Sequence, residues 1–134
     1  MKWKWYHAVR LKKLADFLWQ LENEKFNFGS WVFKEENGCG TVCCALGWMP
    51  KVDKRWEWVL HLKTIRYGSF APPSGGETYF GITSDEFLGL FLPMGQKLYI
   101  NYKNLDVNAT PKQVANMYYK FIKRKEKIRL ANKK

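Results

Sequence analysis

Thr110-Pro111-Lys112-Gln113-Val114-Ala115-Asn116-Met117-Tyr118-Tyr119-Lys120-Phe121-Ile122 decides the fold. The stretch opens with a capping hydroxyl, a proline at the first helical position and a glutamine three residues after the cap, which together mark a helix start. Val114, Met117, Tyr118, Phe121, Ile122 and Ile128 then form one apolar stripe, which predicts a long C-terminal helix over 111–129.

Working outward, Thr83-Ser84-Asp85-Glu86 is a second capping box, placed before Phe87, Leu88, Leu90 and Phe91, and Pro93 ends that helix. Residues 77–80 form a helical turn closed by Gly81. Residues 68–76, with Pro72-Pro73-Ser74-Gly75-Gly76, read as a loop and as the best candidate for a flap. Trp56, Trp58, Leu60 and Leu62 alternate with Glu57, Val59, His61 and Lys63, a period-two strand pattern that runs on to residue 67. Near the start, His7, Leu11, Leu14, Leu18 and Leu21 recur at 4, 3, 4, 3 spacing beside Phe17, so 6–21 is expected to be an amphipathic helix. An aromatic connector (26–33) and a polar turn (34–38) lead into a short helix over 41–48, stopped by Pro50. With no internal repeat or domain boundary, the expectation is an α+β fold. It is a helix-rich single domain over 1–134 with a small antiparallel sheet, a long C-terminal helix and a basic tail from about residue 124.

At 134 residues and 46% hydrophobic, the chain is long enough for a real core. Seven Trp, seven Tyr and nine Phe make it 17% aromatic, and most of those rings must be core because scattered surface indoles aggregate. The formal charge of +11 is unevenly placed. Residues 1–13 carry +5, residues 120–134 carry +7, and everything between is −1. Such a field steers anionic partners: a nucleotide, a nucleic acid or an acidic protein; a solvated helix face that confers solubility is the plainer reading. No helix-turn-helix, zinc-finger or RNA-binding signature stands out, and no apolar run approaches a membrane span.

Cys39-Gly40-Thr41-Val42-Cys43-Cys44-Ala45-Leu46-Gly47-Trp48 places all three cysteines within six residues at a loop-to-helix junction. The count is odd and Cys43 and Cys44 are badly placed to bridge each other, so a reduced, cytoplasmic chain is expected. Three chemistries compete. Cys39 can be a nucleophile at a helix start, with His61 or His7 as its base and Asp53, Glu57 or Asp85 orienting that base. His7, however, lies on the apolar stripe of its helix, which favours a satisfied core histidine. A metal site using Cys39, Cys43, Cys44 and His61 lacks the paired Cys-x-x-Cys spacing, so neither metal nor cofactor is expected. Structural thiols packed as small hydrophobes, with Gly40 for the turn and Thr41 as cap, are the third reading.

Cys39, Gly40, Thr41, Cys44, Gly47 and Trp48 match Cys-Gly-Thr-x-x-Cys-x-x-Gly-Trp, and in this the chain resembles small uncharacterised proteins of tailed phages and bacteria. The order of Phe26-Asn27-Phe28, Trp31, Phe80-Gly81-Ile82-Thr83, Glu86 and Thr110-Pro111-Lys112-Gln113 extends that resemblance over most of the chain. The resemblance implies phage or prophage origin and action in the host cytoplasm. The reading is then a counter-defence accessory protein that binds an anionic, nucleotide-like ligand through Gly40, Thr41, Trp48, Lys123, Arg124 and Lys127. The alternatives are a hydrolase using Cys39 and His61 on a nucleotide signal or acyl or amide substrate, and an inhibitor of a host immune protein or a nucleic-acid binder.

Overall fold

The computed structural model of the chain describes residues 2–28, 45–59 and 64–133. Helix α1 (Trp5–Trp19) buries His7, Ala8, Leu11, Leu14, Ala15 and Leu18, the stripe that the 4, 3, 4, 3 spacing implies. Helix α6 (Pro111–Ala131) buries Val114, Ala115, Met117, Tyr118 and Phe121. Its start is the anticipated capping box: Thr110 Oγ1 accepts from the Gln113 N–H at 3.1 Å, and Gln113 Oε1 accepts from the Thr110 N–H at 2.8 Å.

The two helices pack along each other and run antiparallel. Trp19, at the end of α1, meets Lys112 in the first turn of α6 and Tyr119 further on, whereas Trp3, before the start of α1, meets Phe121 and Lys125 beyond them. Around this pair lie α2 (Met49–Val52), β1 (Trp56–Val59), β2 (Thr64–Tyr67), α3 (Ser74–Phe80), α4 (Ser84–Phe91) and α5 (Gln96–Ile100). The sheet is one antiparallel pair with Trp56 opposite Tyr67 and Val59 opposite Thr64. A helix-rich α+β architecture with a long C-terminal helix is therefore what the chain adopts. The core is aromatic, as the composition requires: Phe28, Tyr79, Phe80, Phe87, Phe91 and Tyr118 are all fully buried.

Three local expectations need correction, and one helix has no counterpart among them. The alternation over 56–67 forms two paired strands rather than one, because period-two patterning marks each arm and says nothing of a reversal between them. Pro50 lies in the first turn of α2, where its missing N–H costs nothing, so it begins a helix instead of stopping one. The loop assigned to 68–76 ends early, and α3 starts at Ser74 with Gly75 and Gly76 buried. These glycines serve close packing: a Cβ on Gly76 would stand 2.3 Å from the Phe87 ring. Finally, α5 carries no sequence signal of its own and is held through the buried side chain of Gln96.

Candidate functional site

Residues 2–4 approach α1 in extended form, and the Lys4 backbone N–H donates to His7 Nδ1 at 2.9 Å. This fixes the lead-in against the first turn of α1. Trp3 turns inward, its ring edge-on to Phe121 at 6.0 Å, and Trp5 turns outward and is 62% exposed. On α6, Lys125, Ile128, Arg129 and Asn132 follow at helical spacing on the side that faces this lead-in. Between the two lies a groove of about 380 Å³. Trp3 and Ile128 give it an apolar floor, and Lys2, Lys4, Lys125, Arg129 and Lys133 surround it.

The electrostatics of this groove are partly committed. Lys125 Nζ pairs with Glu86 Oε2 at 3.0 Å and sits 5.6 Å over the Trp3 ring, tying α6 to α4. Arg129 forks onto Glu126, and that contact, with a smaller contribution from Trp3, holds the Glu126 carboxyl below the usual range. The buried Trp3 indole N–H makes no full hydrogen bond to any described residue. Five cations thus face two carboxylates, and the surplus charge is carried by Lys2, Lys4 and Lys133 at the rim.

A second polar cluster lies across the core. The Tyr79 hydroxyl donates to Asp53 Oδ2, Arg55 forks onto the same carboxylate, and Arg10 Nη1 donates to the Tyr79 carbonyl at 2.8 Å. Both guanidiniums also lie over the Tyr79 ring, Arg10 at 4.7 Å and Arg55 at 5.3 Å. Burial opposes ionisation of Asp53, but hydrogen bonds from Arg55 and Tyr79 overcome it and hold the carboxyl well below its ordinary value. Burial and the Asp53 bond together push the Tyr79 phenol far above the usual range. A fully enclosed phenol whose proton is held in place is a strut joining α1, α3 and the turn before β1, not a proton donor for chemistry.

Of the residues chosen from sequence, Cys39, Gly40, Thr41 and His61 lie outside the described residues, as do Cys43 and Cys44. Trp48 is a core ring: it packs on Phe17 at 5.5 Å and its N–H donates to the Lys25 carbonyl at 3.2 Å. Arg124 donates to the Ile100 carbonyl at 2.8 Å and lies over Phe121, while Lys123 and Lys127 are exposed on α6 away from the groove lining. His7 is buried, as its place on the stripe implies, and burial with help from Arg10 and Lys4 lowers its pKa to about 4. Asp53 is taken by Tyr79 and Arg55, and Glu57 pairs with Arg66 at 2.6 Å. The groove residues that sequence reasoning missed had a signal. Continuing the stripe from Phe121 by four, seven, eight and eleven residues reaches Lys125, Ile128, Arg129 and Asn132.

No protein-family model, curated protein or solved structure matches the chain. No helix among the described residues is long and apolar enough to cross a membrane.

Proposed function

We propose that the chain is a binding protein for an anionic, nucleotide-like small molecule, seated in the groove between residues 2–5 and the end of α6. One observation carries the reading: basic segments from the two ends of the chain meet across an apolar floor beside an exposed indole. A planar base stacks on Trp5, and its phosphates meet Lys2, Lys4 and Lys133. The groove holds its ligand without reacting with it. Among the described residues, the carboxylates beside it, Glu86 and Glu126, are each engaged by a cation of the groove wall. The resemblance to tailed-phage proteins sets this binding in counter-defence, with a nucleotide immune signal as the ligand class.

The test incubates the protein with a panel of cyclic dinucleotides and ADP-ribose-type signals, follows its melting temperature, and examines heat-released material by mass spectrometry. A binder is stabilised by mass action and returns its ligand intact. Lys4→Gln combined with Lys133→Gln should weaken that binding roughly tenfold, as expected for two exposed charge contacts. Failure of every panel member to stabilise the protein discards the nucleotide reading. Conversion of any member by catalytic amounts of protein replaces it with the hydrolase that uses Cys39 and His61.

A further inference from the structure

Trp5, at the rim of the groove, is also one end of a longer feature that runs along the outer side of α1. Trp5 and Trp19 open and close α1, so they stand roughly 21 Å apart along its axis. Trp19 is 48% exposed, with Lys112 Nζ 5.7 Å over its ring and the Tyr119 ring 6.3 Å away. Trp5, Val9, Lys12, Asp16 and Trp19 recur at 4, 3, 4, 3 spacing and form one flank of α1. The bond from the Tyr119 hydroxyl to Asp16 lays this flank against α6. On the same side of α6, three residues before and four and eight after Tyr119, stand Asn116, Lys123 and Lys127, all exposed. The acids along this seam are neutralised locally. Asp16 is engaged by Tyr119 and by Lys12 at 2.9 Å, and Glu126 by Arg129.

The seam is therefore a basic track with an exposed indole at each end. Stacking rings spaced along a cationic strip suit the splayed bases and regular phosphates of a single strand. A duplex keeps its bases stacked inside, out of reach of both indoles. We infer that the outer seam of α1 and α6 binds single-stranded nucleic acid, one nucleotide occupying the groove at Trp5 and a base further along the strand stacking on Trp19. The inference rests on the nucleotide reading of the groove and adds Trp19, Lys112 and Lys123, which a mononucleotide in the groove does not reach.

The experiment titrates the full chain into a fluorescein-labelled oligothymidine of about 12 nucleotides and, separately, into thymidine monophosphate. The oligonucleotide should bind more tightly than the mononucleotide and lose affinity as salt rises. Trp19→Ala should cost the oligonucleotide about tenfold and leave the mononucleotide unchanged. Lys112→Gln should make the salt slope shallower by about 0.7, the loss of one phosphate contact. Equal affinities for the two ligands, or a folded Trp19→Ala protein that binds the oligonucleotide as before, overturns the seam and leaves the groove standing. Failure of the native chain to bind the oligonucleotide also overturns the seam, while the groove stands or falls with its own panel of signals. Tighter binding to phosphatidylserine vesicles than to the oligonucleotide also overturns the inference and makes the seam, with exposed Ile128 and Leu130, a lipid-facing surface.

Discussion

His7 sits against Trp3 and Tyr6, with ring centroids at 5.8 and 4.4 Å, and accepts the Lys4 N–H through Nδ1. Gly81 closes the remaining side: its φ of +64° puts it in the left-handed region, and a Cβ there would stand 2.3 Å from the imidazole. Burial disfavours the imidazolium here, and Arg10 and Lys4 beside it add to that, so the pKa falls to about 4. Between that value and the ordinary 6.5, the unfolded chain binds the proton and the folded chain does not. Stability contributed by neutral His7 is therefore complete above pH 6.5 and drains away as pH falls toward 4, a loss of roughly 2 kcal/mol by pH 5. The carboxylates depressed by their partners, Asp53 and Asp16, act only at lower pH, as protonation proceeds through and below about pH 4. Thermal melts at pH 7 and pH 5 should show the difference, and His7→Asn should flatten it. An unchanged pH slope in that variant would place the acid sensitivity elsewhere.

The two capping boxes, the apolar stripes of α1 and α6 and the left-handed stop at Gly81 were all legible in sequence, because each is a local pattern read within one element. Helix α5 was not, because its anchor works across elements. Gln96 is fully buried; its Nε2 donates to the carbonyls of Gly89 and Leu92, and its Oε1 accepts from the Leu105 N–H at 2.8 Å. One side chain thus satisfies three backbone groups at the junction of α4, α5 and the following loop. A glutamine carries no apolar signal, so nothing in its spacing marks it as core. Gln96→Leu keeps the volume and strands all three partners, and should destabilise the protein by about 2–4 kcal/mol in denaturant unfolding. A cost below about 1 kcal/mol would mean that water or a shifted loop replaces the amide. The same blindness explains the sheet. Residues 56–67 hold no Gly, Pro or Asn to announce a reversal, so the two arms read as one strand.

Across the whole molecule, the charge excess at the two ends of the sequence was plain, but its meeting place depends on how α1 crosses α6. Density of charge singles out Lys123, Arg124 and Lys127, whereas the groove takes Lys125 and Arg129, which continue the buried face of the helix. Composition reports how much charge a segment holds, and only packing reports which side it faces. The antiparallel pairing has a mechanical consequence as well. Because residue 2 and residue 133 border the same groove, force applied to them loads the α1–α6 interface at one end. Its contacts then break in sequence, Trp3 from Phe121 first and Trp19 from Tyr119 last. A pull between residues 2 and 111 loads the same interface lengthwise, so all of its contacts must fail together. An optical trap should record a lower rupture force for the first pair of handles than for the second, and equal forces would mean that the helices separate before the interface bears load. The contact that assembles the groove is, under tension, the seam along which the protein tears open.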